Sequence, residues 1–133
     1  MMPQQPREAE YRFQLTVWLA MVISIGMYFV AIRLIQPTEA LDDPTLINML
    51  LIMALCFVVA SVLLKNYFIG RAAATGLKVY RRLSFIVPLV FCESAALFGV
   101  VAWFTTGYTK AYWFFVLGLA GDLLHFPVRS DGK

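Results

Sequence analysis

At 133 residues, 61% of them hydrophobic and 14% charged, with a positive mean hydropathy, the chain is too apolar for a water-soluble domain and too short for several domains. Its 11 Lys plus Arg and 8 Asp plus Glu cluster between long uncharged runs instead of alternating with apolar residues. That pattern belongs to a polytopic membrane protein. The net charge of +3 therefore reads as a topology signal beside hydrophobic spans, and no nucleic-acid partner is expected.

The first span is expected over residues 13–32, which are uncharged and bracketed by Arg12 and Arg33. At about 1.5 Å per residue such a run crosses a hydrocarbon core of about 30 Å. It ends without a small-residue cleavage site and is expected to stay in the mature protein. The preceding residues 1–12 read as a polar cytoplasmic tail. An acidic, proline-containing loop at 36–43 leads to Pro44, acceptable at a first helical position. The second span runs over 44–64.

Lys65, Arg71, Lys78, Arg81 and Arg82 then crowd a basic connection. It reads as an ordinary positive-inside loop, although three consecutive alanines at 72–74 are also compatible with helical extension. The third span, 83–106, is interrupted only by Glu93, and a turn at 107–110 precedes a shorter fourth span at 111–126, stopped by Pro127. Residues 127–133 form a second tail. The fold expected is an all-α integral membrane bundle of four antiparallel spans in a single domain, 13–126.

Lys and Arg fix the orientation. Two lie at the amino end, five in the middle connection and two at the carboxyl end, against only Arg33 and Lys110 on the other face. The positive-inside rule places both termini in the cytoplasm and favours four spans over three. A multi-pass bacterial inner (plasma) membrane protein is the expected setting. Tyr11, Trp18, Tyr67 and Tyr80 read as inner-boundary anchors, and Tyr28, Trp103, Tyr108, Tyr112 and Trp113 as outer ones. Cys56 and Cys92 lie inside apolar runs and read as small buried packing residues.

Glu93 is the residue that needs an explanation. Ten positions beyond Leu83 it lies about 15 Å into the membrane, close to the midplane. An ionised acid there costs at least about 2.5 kcal/mol, so it must be neutral, paired or hydrated. Cys92, Ala95, Ala96 and Gly99 form a small-residue face that lets another helix approach. Counting depth along each helix puts Ser24 near Glu93, Cys56 a little closer to the cytoplasm, and Gly118 where a close approach is possible. Glu93 is thus either an interhelical hydrogen-bonding group or a carboxylate that reversibly binds a proton or small cation, with Ser24 as its partner.

Asp122 and His125 share a face of the fourth helix near the cytoplasmic boundary. They are secondary candidates for a proton relay. The plainer expectation pairs Asp122 with Arg81 or Arg82 and leaves His125 at the boundary near solvent; two ligands without a third make a weak metal signal. Gly118 and Gly121 read as packing positions. Phosphate-loop, paired-histidine and nucleophile-turn signatures are missing, so no enzyme, cofactor or metal is expected.

The string Cys92-Glu93-Ser94-Ala95-Ala96-Leu97-Phe98-Gly99-Val100-Val101 resembles the ion-binding helix of the rotary ATP synthase proteolipid, the ring-forming subunit. Gly70-Arg71-Ala72-Ala73-Ala74 and Arg81-Arg82 are similar to its cytoplasmic side, and the resemblance covers roughly residues 68–107. It implies that Glu93 corresponds to the family's proton-carrying carboxylate. Two functions are expected from these residues. One is a proteolipid-like, oligomeric protein in ion-coupled transport, and the other a non-catalytic interaction or assembly protein whose partners are the bilayer, further copies or another membrane protein.

Overall fold

The computed structural model describes residues 5–37, 43–107 and 109–128. The middle of the 36–43 loop, Tyr108, and the terminal cations Arg129 and Lys133 lie outside the described residues. Four α-helices follow in order, α1 (Gln5–Leu34), α2 (Pro44–Thr75), α3 (Lys78–Thr106) and α4 (Tyr112–Leu124), with a 3-10 turn at Thr109–Ala111 before the last. No strand occurs among the described residues. The first three helices are long and apolar enough to cross a membrane.

Each helix is longer or shorter than its expected span for a local reason. α1 starts at Gln5 instead of Phe13. Pro6 is tolerated in a first turn, and Glu8 there favours the positive end of the helix dipole. α2 begins where expected because Asp43 caps it, accepting hydrogen bonds from the backbone N–H of Thr45 at 2.9 Å and of Leu46 at 3.4 Å, with Pro44 following.

The basic connection is not a loop. α2 continues through Lys65, Arg71 and the three alanines to Thr75, and α3 starts again at Lys78. Gly76 alone breaks the helix: at φ 68° it occupies the left-handed conformation and its N–H closes on the Ala72 carbonyl. Helix-forming alanines and arginine prevail over the loop expectation. Arg71 then lies over the rings of Tyr67 and Tyr80, 6.0 and 5.9 Å from their centroids, across the two helix ends.

α4 has 13 residues, Tyr112–Leu124. That is about 20 Å, shorter than a hydrocarbon core. The 3-10 turn takes the first residue of the expected span and His125 ends the helix.

α3 is the central element and packs against all three others. Phe57 of α2 meets Phe91 and Phe98 of α3, while Phe68 near the end of α2 stacks on Tyr80 near the start of α3. α4 seats on α3 through glycines facing small side chains. A Cβ at Gly99 would lie 2.6 Å from Phe114 Cβ, one at Gly118 2.9 Å from Ala96 Cβ, and one at Gly121 2.5 Å from Cys92 Sγ. No real Cβ fits at those separations, so the glycines set how near the backbones come. α1 is peripheral. Only Ile25 and Ile32 of its side chains are buried hydrophobics, whereas Ile23, Met27, Val30 and Leu34 are exposed.

Polar groups inside these apolar helices are mostly satisfied within their own turn. Thr16 donates to the Arg12 carbonyl, Ser94 to that of Val90 and Thr105 to that of Val101, each at 2.8 Å. Cys92 is buried as expected, but Cys56 is exposed, because its position on α2 faces away from α3 and α4.

The glycine seam makes a direct prediction. Gly121→Ala should lower the thermal midpoint in detergent, with a cost of about 1–3 kcal/mol from overpacking against Cys92. Gly26→Ala, where an added Cβ meets nothing within 4 Å, should leave the midpoint unchanged or raise it, since alanine is the better helix former. Equal losses in both variants would mean that the seam does not control α4 docking.

Candidate functional site

Glu93 faces α1, while its neighbour Cys92 faces α2 and α4. Successive helical residues point about 100° apart, so with Cys92 buried against Gly121, Glu93 projects a little more than a quarter turn away from that seam. There Ser24 Oγ donates to Glu93 Oε1 at 2.6 Å and Tyr28 OH donates to the same oxygen at 2.8 Å. Ser24 and Tyr28 are four residues apart and share one face of α1. The contact expected between Ser24 and Glu93 is present, and Tyr28 joins it. Tyr28, expected as an outer-boundary anchor, thus also binds the carboxyl group. The signal was available in the sequence as the serine–tyrosine spacing on the helix that passes Glu93.

Both hydroxyls converge on Oε1, an acceptor whether the acid is ionised or neutral. The second oxygen is the one from which charge or a proton can be exchanged. The carboxyl group is half-buried, so the arrangement joins two fixed donors to a group that is not sealed.

A second polar cluster sits where α2, α3 and α4 meet. Ser61 Oγ donates to the Val58 carbonyl at 2.6 Å and lies 2.9 Å from His125 Nε2, and Cys92 Sγ donates to Ser61 Oγ at 3.5 Å. A hydroxyl has one proton. With that proton committed to Val58, the His125 ring donates from Nε2 and both lone pairs of Ser61 Oγ are used. His125 Nδ1 then carries a lone pair and has no hydrogen-bond partner among the described residues. His125 is 2% exposed, not a boundary residue near solvent. Ser61, fully buried, was not legible as a site residue, because one serine in an apolar run has no pattern to mark it.

Asp122 is 0% exposed, and neither carboxyl oxygen has a hydrogen-bond partner among the described residues. It is not paired with Arg81 or Arg82. Arg82 is exposed and bonds Glu10 at 3.5 Å instead, since reaching Asp122 would require burying a guanidinium. Glu93 and the buried thiol of Cys92 lie within electrostatic range of Asp122. α1 is tied to the same end of α4 by Trp18, whose Nε1 donates to the Asp122 backbone carbonyl at 2.7 Å and whose ring meets Phe126 edge-on at 4.9 Å. Asp122 and His125 are joined through the backbone, the His125 N–H donating to the Asp122 carbonyl at 3.1 Å, but their side chains share no hydrogen bond among the described residues, and Ser24–Glu93–Tyr28 is a separate cluster.

Among the described residues no three His, Cys, Asp or Glu side chains converge as a metal site requires. The five basic candidates are divided by the helices: Arg71 rests on aromatic rings, Arg82 pairs with Glu10, Lys78 is exposed at the start of α3, and Lys65 and Arg81 line one cavity. Comparison with known protein families, curated proteins and solved structures returns no match.

The two carboxyl groups should respond oppositely to substitution. Ser24→Ala and Tyr28→Phe should each cost about 0.5–1.5 kcal/mol, the net worth of one hydrogen bond. Asp122→Leu should raise the thermal midpoint, because it replaces an unpartnered buried carboxyl by an apolar group. A fall in Asp122→Leu would show that the carboxyl has a partner essential to the fold.

Proposed function

We propose that this chain is a small, non-enzymatic integral membrane protein in which Glu93 binds a proton or small cation as part of an ion-coupled process. The observation that carries this reading is the convergence of Ser24 and Tyr28 on one oxygen of a half-buried carboxyl group. An ionisable residue within a membrane span is a functional group by default. Ser24, on the facing helix, is the accompanying ligand. Asp122 and His125 are secondary candidates for proton movement at the far end of α4.

The proposed setting is a bacterial inner membrane crossed by antiparallel helices, with both termini cytoplasmic. Supporting it are the distribution of Lys and Arg and an exterior carrying apolar side chains such as Leu63, Trp113 and Leu124. The proposal includes the resemblance of residues 68–107 to the proteolipid hairpin, and with it a homo-oligomer or a membrane-protein partner. A second reading rests on the same two hydrogen bonds: they clamp α1 to α3, so Glu93 would serve assembly alone.

Glu93→Gln separates the two. Glutamine keeps an oxygen that accepts from Ser24 and Tyr28 but exchanges no proton and adds no charge. A hydrophobic carbodiimide, which selects neutral carboxyls in apolar surroundings, supplies the complementary measurement on the wild-type protein. Labelling at Glu93 should fall as pH rises or be protected by sodium, and the Gln variant should fold with a near-native midpoint but lose ion flux in liposomes. No labelling at any pH in folded protein, with flux unchanged in Glu93→Gln, would leave the assembly reading.

A further inference from the structure

Lys65 in the second half of α2 and Arg81 in the first turn of α3, on neighbouring helices, line one cavity of about 180 Å³. Gln14 of α1, Ser84 and Phe85 of α3, and His125 with the segment after it complete the lining. At about 30 Å³ per water molecule the space would hold roughly six waters, enough for a phosphate group with part of its hydration. None of the lining residues is acidic. Lys65 is also within electrostatic range of His125.

Two like charges gathered around a cavity repel each other unless an anion lies between them. The chain offers none in the described residues. Arg82 pairs with Glu10 at 3.5 Å, whereas neither Lys65 nor Arg81 has an ion pair among the described residues. Asp122, a turn before His125, is fully buried and is not part of the lining. Ser84 has its proton committed to the Arg81 carbonyl at 2.7 Å, so the charged donors among the lining residues are Lys65 and Arg81, with the Gln14 amide as a neutral one. A planar guanidinium beside a point-charge ammonium suits a tetrahedral oxyanion. Phe85, Phe126, Pro127 and Val128 make the remaining wall apolar, which suits a phosphate attached to an apolar chain.

We propose that the cavity between Lys65 and Arg81 binds a phosphate group, either as an anionic phospholipid headgroup or as a free phosphate. The site is separate from Glu93 and does not depend on the function proposed for it.

An arginine-selective dicarbonyl reagent tests this on the full-length protein in vesicles, with the modification rate at each arginine followed by mass spectrometry. Arg71, exposed and held over tyrosine rings, is the internal reference. Vesicles of phosphatidylcholine alone would be compared with the same vesicles containing phosphatidylglycerol, and with phosphatidylcholine vesicles plus inorganic phosphate. At a ligand level about ten times its dissociation constant, Arg81 should react about tenfold more slowly while Arg71 is unchanged. Protection by phosphatidylglycerol alone assigns the headgroup, and protection by inorganic phosphate assigns the free ion. Lys65→Gln should abolish the protection in either case. The proposal is overturned if neither ligand slows Arg81, if Arg71 and Arg81 slow equally, or if protection survives in Lys65→Gln; the first two outcomes need no variant to fold.

Discussion

The close approach of α4 to α3 is the constraint on which the rest of the molecule depends. Gly99, Gly118 and Gly121 remove the Cβ atoms that would hold the backbones apart, and Ala96 and Cys92 fill the space. Once Cys92 is fixed in that seam, the geometry of an α-helix leaves its neighbour little choice: Glu93 must project toward α1. The carboxyl group is therefore oriented in part by packing on another face of its own helix, about 100° away. The Ser24 and Tyr28 hydroxyls add direction to a placement that the apolar seam already imposes.

The same seam explains why polar groups gather at the end of α4. Cys92 contacts Gly121 and donates to Ser61, and Ser61 in turn receives the His125 ring. Asp122 sits between Gly121 and His125 in sequence, but its carboxyl oxygens find no hydrogen-bond partner among the described residues. Stability alone would favour an apolar side chain there. A fully buried, unbonded carboxyl beside a histidine with a bare Nδ1 is a local departure from consistent packing, and such departures concentrate where a protein does more than fold.

Much of this was legible in the sequence, and the failures share a cause. Helix number, the apolar character of the first three helices and the small-residue faces follow from composition and periodicity, which are properties of single segments. The contact of Ser24 with Glu93 follows from depth counting along two helices. Tyr28 was assigned to a boundary by residue type, although its spacing from Ser24 places it on the same face. Asp122 was paired with Arg81 or Arg82 by charge, but the fold buries the acid and leaves the arginines exposed, so solvation overrode attraction. The basic segment was read from its charge as a loop, whereas its alanines make it helix up to Gly76. Charge pattern reports on compartment and says little about local backbone conformation.

Helix length adds a last step. In the proposed topology α2, with 32 residues, is about 48 Å long against a hydrocarbon core of about 30 Å. Its final turns, together with the start of α3, must then stand in the headgroup region or beyond it. α4 is too short to follow them, and the segment after Leu124 folds against Trp18 instead of continuing outward. The cavity lies where the end of the short helix meets α1, α2 and α3, and its lining joins Gln14, Lys65 and Arg81 to Phe126, Pro127 and Val128. In that topology Lys65 and Arg81 fall toward the level of lipid phosphates, and a headgroup bound by them would leave its acyl chain along the apolar residues. The end of the short helix thus brings an apolar segment to the basic residues of the long ones, which accounts for the mixed lining of the cavity.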